Sequence, residues 1–222
     1  MSALQPAATL SEQIAEHLGQ RIIRGELAPG ERLPEQELSR ELDVSTNSLR
    51  EAFRLLEKQY LVEHQPRRGA RVRPVTEEEV RDLYDFLFLL LGHLAGEAAR
   101  IWQPGELDDL VNLLPELERH HQANDIASAH EVAFQVVNKA LRFAHNRYLR
   151  GDIEDLLPLL KRYSYIALQE ETTEFDVSLA IFQRLMTNVM NRDTEAAAAD
   201  IREYGANQCR IVLRAVAQRY AA

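Results

Sequence analysis

One cysteine, Cys209, stands in a chain of 222 residues. With no second thiol, no intrachain disulfide can form, and a reducing compartment is expected. Its place in a C-terminal helical pattern reads as a small buried residue rather than a reactive thiol. Long apolar runs are missing too. The longest, Phe86 to Leu91, is far too short to span a bilayer, so no membrane partner is expected. The opening MSALQPAATL has neither a basic n-region nor an apolar core, so no signal peptide is expected and the cytoplasm is the expected location. No nucleophile–base pair, glycine-rich phosphate loop or metal-ligand cluster appears, which weighs against an enzyme. Positive charge is in deficit: 26 Lys and Arg stand against 35 Asp and Glu, for a net charge of -9.

That deficit is uneven. Residues 1–75 hold 11 basic and 11 acidic residues, and the remainder holds 15 and 24. Within residues 45–73, seven basic residues (Arg50, Arg54, Lys58, Arg67, Arg68, Arg71, Arg73) face three acidic ones (Glu51, Glu57, Glu63). A locally positive face on an acidic protein is a usable phosphate footprint.

The stretch Leu33 to Leu61 predicts two short helices around a tight turn. Pro34 suits a first helical turn, where its missing N–H costs nothing. Leu38 and Leu42 mark one apolar face, Asp43 and Val44 make the turn, and Ser45 is a good N-cap. The second helix then carries Leu49, Ala52, Phe53 and Leu56 inward at spacings of three and four. Thr46, Asn47, Arg50 and Arg54 occupy its other face, all hydrogen-bond donors. That is the layout of a helix-turn-helix whose second helix can enter a major groove. An ordinary helical hairpin with a solvated face has the same local pattern.

The flanks decide between them. Residues 9–24 predict a first helix, with Ile14, Leu18, Ile22 and Ile23 inward and Gly25 as its C-cap. Leu27 to Gly30 is a turn. Tyr60 to Val62 and Ala70 to Arg73 are short β-like pieces around a polar turn ending in Gly69. Three helices and a hairpin make a winged helix-turn-helix, with Arg67 and Arg68 at the wing tip, within reach of a phosphate or the minor groove. Pro74 marks a boundary between residues 1–75 and 76–222, and Thr76 to Glu79 is a capping box. Helices are expected near 77–102, 105–122, 126–144, 147–171, 176–191 and 194–219, with a break at Thr172 to Glu174 and kinks at Pro115 and Pro158. The fold class is mainly α: an N-terminal winged helix-turn-helix with a small β-hairpin wing, then an all-α helical bundle. Phe86 to Leu91 covers the whole helical wheel, so a partner subunit is expected over one face.

The chain resembles the GntR transcription regulators, in the FadR-like branch with an all-helical FCD-type ligand domain. The resemblance rests on Ile23 to Leu33 (IRGELAPGERL), Glu37-Leu38, Val44-Ser45, Leu49 to Glu57 (LREAFRLLE) and the wing Arg68 to Val72. Ordered motifs over some fifty residues are far more specific than one helix-turn-helix match. Six C-terminal helices look like the shorter, VanR-like subdivision. By resemblance, Arg32, Arg50 and the turn before the recognition helix hold DNA, and Gly69 lets the wing approach the minor groove. The expected DNA face is Arg32, Gln36, Ser45, Thr46, Asn47, Ser48, Arg50, Arg54, Arg67, Arg68 and Gly69. Thr46 and Gln36 stand where the family often has Arg, so base preference cannot be copied from relatives.

Many relatives hold a divalent metal through an Asp and three His. Register places Glu131, Gln135, Phe182 and Tyr204 at those positions, and Leu87 and Leu91 where relatives often have Arg and Glu. Such a set lacks strong ligands, and His93, His120, His121, His130 and His145 read as surface or cap residues, so no metal and no cofactor are expected. A pocket lined by Leu87, Leu91, Glu131, Gln135, Phe182 and Tyr204 suits a small hydrophobic effector. The resemblance therefore implies a homodimeric repressor on a palindromic operator, controlled by that effector. Two other readings stay open: a DNA-bound dimer with a filled helical domain, and a helical-bundle enzyme with a DNA-binding head.

Overall fold

The computed structural model describes residues 8–170 and 175–220. The chain divides into two compact units, Met1–Val75 with Asp155–Arg162, and Thr76–Glu154 with Tyr163–Ala222.

The N-terminal unit begins with α1 (Leu10–Ile23). Thr9 caps it, and a capping box with Glu12 satisfies two of the backbone donors that a helix start leaves open. A turn through Gly30, which has φ +78° as only glycine tolerates without strain, leads to β1 (Arg32–Leu33). Then come α2 (Glu35–Glu41) and α3 (Thr46–Lys58), with Asp43 at φ 51° turning the chain between them. Pro34 is the N-cap of α2, one position ahead of the expected first helical turn. Ser45 caps α3, accepting from the backbone N–H of Ser48 at 3.0 Å. Leu49, Ala52, Phe53 and Leu56 are all buried against α1. Gly19 of α1 is the close-approach point, because a Cβ there would already touch Leu56 at 3.4 Å.

The wing is β2 (Val62–Gln65) and β3 (Gly69–Val72), antiparallel, with Val62 opposite Val72 and Gln65 opposite Gly69. The first strand starts later than the Tyr60 expected from composition. Tyr60 takes φ 57°, and Leu61 donates back to the Leu56 carbonyl at 3.0 Å, so these two residues close α3 instead. The sheet also has a third strand: β1 pairs with β3, giving the order β1-β3-β2. Two residues show no alternation to read, so only pairing reveals β1.

From Thr76 on the chain is helical. The helices are α4 (Glu77–Ile101), α5 (Asp108–Val111), α6 (Leu114–Gln122), α7 (Ile126–Ala140) with a 3₁₀ turn at Leu141–Phe143, α8 (Arg147–Glu170), α9 (Phe175–Met190) and α10 (Thr194–Tyr220). Asp155–Arg162 of α8 are the part counted with the first unit. The single helix expected over 105–122 is two, because the chain breaks at Asn112 and Leu113. Pro115 therefore lies in the first turn of α6, where it breaks no hydrogen bond, rather than kinking a longer helix. Pro158 does lie inside α8. The break expected at Thr172 to Glu174 lies outside the described residues.

Helices α4 and α10 form the central pair. Small residues bring them together: a Cβ on Gly205 would sit 2.2 Å from Phe88 Cγ, and one on Gly92 3.2 Å from the Ala198 carbonyl oxygen. Phe88 stacks on Tyr84 at 5.3 Å between ring centroids and tilts against Tyr204 at 6.2 Å. Leu87, Phe88 and Leu91 are buried in this packing, whereas Phe86 is 47% and Leu89 59% exposed.

Candidate nucleic-acid interface and helical cavity

Two places in the molecule gather chemistry-bearing residues, one in each unit. The first is the outer face of α3 with the wing. The inward stripe of α3 forces Thr46, Asn47, Arg50 and Arg54 outward, and all four are exposed. Ser45 is exposed while capping the helix, and Ser48 is half-buried behind it. Arg32 and Gln36 are exposed on β1 and α2. At the wing tip Arg68 donates its backbone N–H to the Gln65 carbonyl at 3.0 Å, and Arg67 at φ 65° and Gly69 at φ 79° tighten the turn. That geometry turns both arginines into solvent. All eleven expected residues thus belong to the N-terminal unit, and all but Ser48 and Gly69 are exposed.

The arginines differ in their ties. Arg32, Arg54, Arg67 and Arg68 make no ion pair among the described residues. Arg71 is half-buried and committed to Glu63 at 2.5 Å. Arg50 donates its Nε–H to Glu35 Oε2 at 2.8 Å. Glu51 is engaged elsewhere, accepting from the Ser11 hydroxyl at 2.8 Å. Four guanidinium groups of this face thus have no carboxylate partner among the described residues, which suits phosphate oxygens.

The second place is a cavity in the helical unit, of about 20 Å³. Leu117 of α6 and Ala129, His130 and Ala133 of α7 line one side. Ser178, Leu179 and Phe182 of α9 and Tyr204 and Gln208 of α10 line the other. Its volume holds about one water. Gln208 donates to the Ser178 hydroxyl at 2.7 Å, and Asn207 donates to the same oxygen at 3.2 Å. Desolvation pushes the His130 imidazole down to about 4, with Glu131 opposing weakly. Burial pushes the Tyr204 phenol up to about 12. Burial also raises the Tyr84 phenol well above its ordinary value. At neutral pH the polar lining is thus uncharged: an imidazole, two hydroxyls and an amide.

Of the six residues expected around a pocket, Phe182 and Tyr204 line this cavity and the other four do not. Leu87 and Leu91 are buried in the packing of α4. Glu131 and Gln135 are exposed on the outer face of α7. The inward residues of α7 are Ala129, Val132, Ala133 and Val136. The reason is local: the apolar residues of α7 recur at three- and four-residue spacing and take the inward face, which leaves the charged and amide side chains in water. His130, expected at the surface or as a cap, instead faces the cavity. Ser178 and Gln208 carried no local signal, since only the packing of α9 on α10 brings them together. Among the described residues no group of three or more His, Cys, Asp or Glu is placed to hold a metal ion, and no helix is long and apolar enough to cross a membrane.

A winged helix-turn-helix with a solvated arginine face, joined to an all-helical unit, defines a DNA-binding regulator architecture. The chain matches the profile of bacterial regulatory proteins of the gntR family over residues 10–72 and that of the FCD domain over residues 82–207. It is similar to the uncharacterized HTH-type transcriptional regulator YdhC of Bacillus subtilis, 26% identical over 204 residues that span 89% of this chain and 88% of that protein. It is also similar to the gluconate operon transcriptional repressor of Bacillus licheniformis, 25% identical over 82% of this chain and 73% of that one. Among solved structures, McbR/YncC of E. coli shares the fold with a TM-score of 0.79 at 19% identity, covering 94% of this chain and 99% of that chain. A transcriptional regulator from Rhodococcus sp. RHA1 gives 0.71 at 22% identity, covering 92% and 97%. The chain belongs to the GntR family of transcription regulators, in the branch that carries an FCD effector-binding domain.

Proposed function

We propose that this regulator is a homodimeric repressor that binds a palindromic operator in the cytoplasm and is controlled by a small, uncharged, largely apolar effector. Residues 1–75 serve as the DNA-binding domain and residues 76–222 as the effector-binding and dimerisation domain. The observation that carries the DNA reading is the cluster of solvated arginines on α3, β1 and the wing. Thr46, Asn47 and Arg50 lie in the first two turns of α3, the part of a recognition helix that meets base edges. Arg54, Arg67, Arg68 and Arg32 supply phosphate contacts, and Gly69 narrows the wing for the minor groove. Repression as the sense of control is the function that the name of the Bacillus licheniformis relative carries.

The effector reading is supported by the uncharged cavity. Phe182, Leu117 and Leu179 offer apolar surface, at about 25 cal/mol per Å² removed from water. Tyr204, His130, Ser178 and Gln208 offer neutral polar handles. An anion would find no cation among these residues and would lose its hydration without replacement. Since about 20 Å³ admits little more than a water, effector entry requires Phe182 or Leu117 to move. Exposed Phe86 and Leu89 on α4 are the surface on which a second copy closes. Ligand-dependent spacing of two winged heads then decides whether both fit one operator.

Selection from a randomised duplex pool tests this reading. The expected outcome is enrichment of an inverted repeat with half-sites about one helical turn apart. Enrichment of no sequence, together with unchanged affinity in Arg50→Ala and Arg68→Ala, would contradict it.

A further inference from the structure

Glu35 is an acidic side chain on a face that is otherwise suited to phosphates. A carboxylate there weakens DNA affinity at every sequence, because it repels the backbone. Its position at the start of α2 has a structural rationale, since an anion is favoured at a helix N-terminus. That rationale does not account for its second tie, across 15 residues of sequence, to Arg50 of α3.

The tie has a defined geometry. Glu35 Oε2 accepts from Arg50 Nε at 2.8 Å, and the acid is the better-sheltered partner, 24% exposed against 61% for the arginine. Arginine presents five N–H donors in a rigid planar fork. A bond at Nε leaves the two terminal nitrogens at the far end of the plane, and no other bond to Arg50 is found among the described residues. An arginine in the second turn of an exposed helix otherwise samples many rotamers, and ordering it on binding costs affinity. A carboxylate clamp reduces that cost for one direction of the fork and raises it for others.

Resting on the DNA-binding reading, we propose that Glu35 is a positioning residue for base recognition: it holds Arg50 by its Nε edge so that the terminal nitrogens present a bidentate fork to one guanine in the major groove. The paired O6 and N7 acceptors of guanine match that fork, and no other base edge offers two acceptors at that spacing. Glu35 thus lowers affinity for DNA in general and raises discrimination at one position, a repulsive element used for specificity.

The test selects 20-bp duplexes from a randomised pool with the wild-type protein, Arg50→Ala, Glu35→Gln and the double variant. The wild type is expected to select guanine at one position in each half-site, and Arg50→Ala to lose that preference. Glu35→Gln is expected to lose it at the same position, by roughly 5- to 100-fold in relative affinity. Its binding to a scrambled duplex should be equal to or tighter than that of wild type. In the double variant, Glu35→Gln should add nothing to the effect of Arg50→Ala on base preference. Arg50→Lys, which keeps the charge but has no Nε edge for Glu35 to hold, is the second probe, and adding Glu35→Gln to it should leave its base preference unchanged. Retained guanine preference in Glu35→Gln, or an even loss of affinity across all sequences, would overturn the role of Glu35. Failure of the wild type to enrich any sequence would instead overturn the DNA reading on which this role rests.

Discussion

The two units treat their polar side chains in opposite ways. The N-terminal unit leaves them in water: Arg32, Arg54, Arg67 and Arg68 are exposed, and none forms an ion pair among the described residues. The helical unit turns them inward: Ser178 is 4% and Gln208 8% exposed, and the two bond to each other. Burial near them keeps His130 neutral and Tyr204 protonated. A guanidinium at the surface stays charged at no cost and gains when a phosphate replaces water. A titratable group sheltered from water gives up its charge instead. One unit therefore presents solvated cations and the other an uncharged cavity.

The most severe disruption of the helical side of this contrast is expected at Gly205. Gly205→Val should lower stability by about 3 kcal/mol or more, because its Cβ meets the Phe88 ring across the α4–α10 contact. Adding Phe88→Ala should return part of the loss. Thermal denaturation checks both, and an unchanged midpoint in Gly205→Val would mean that α4 and α10 do not pack this closely.

A smaller effect is expected from the buried imidazole. Because the folded protein holds His130 down to about 4 while the unfolded chain has the ordinary value of 6.5, the unfolded state binds more protons between those values. Stability should be fully present above about pH 6.5 and fall as pH drops toward 4, by up to about 3 kcal/mol. His130→Gln should flatten that part of the pH profile. Chemical denaturation at several pH values measures it, and an equal acid loss in wild type and variant would place His130 in water.

Next comes the α4 surface. Leu89→Glu puts a charge on the exposed apolar face beside Phe86, and it should convert dimer to monomer at micromolar concentration in sedimentation. A wild-type protein that already sediments as a monomer would remove the dimer, and with it the palindromic operator. The smallest effect is expected at the wing: Arg68→Ala removes one solvated charge and should weaken binding evenly across sequences.

How much of each unit could be read from residues alone follows the same division. In the N-terminal unit the signals are local. Ser45 caps α3, the stripe Leu49, Ala52, Phe53 and Leu56 is buried, and the wing turns at Gly69, all within a few residues of the pattern that points to them. Its exceptions are non-local: β1 exists only through pairing with β3, and the Glu35–Arg50 tie spans two helices. In the helical unit periodicity located the longer helices well, yet the cavity joins residues from four of them. The facing side of α7 is its apolar stripe with His130 and Ala133, and Glu131 and Gln135 lie outside it. The apolar run of α4 divides between two faces: Leu87, Phe88 and Leu91 are enclosed in the helical unit, and Phe86 and Leu89 stay exposed in the single chain.

The central claim is that the arginine face of the N-terminal unit meets DNA phosphates. The salt dependence of binding to a fixed duplex measures this most directly, with wild type compared with Arg68→Ala and with the Arg54→Ala/Arg67→Ala/Arg68→Ala variant. The slope of log K against log salt should fall by roughly 0.9 for each phosphate-contacting arginine removed. Identical slopes in all three proteins would contradict the claim.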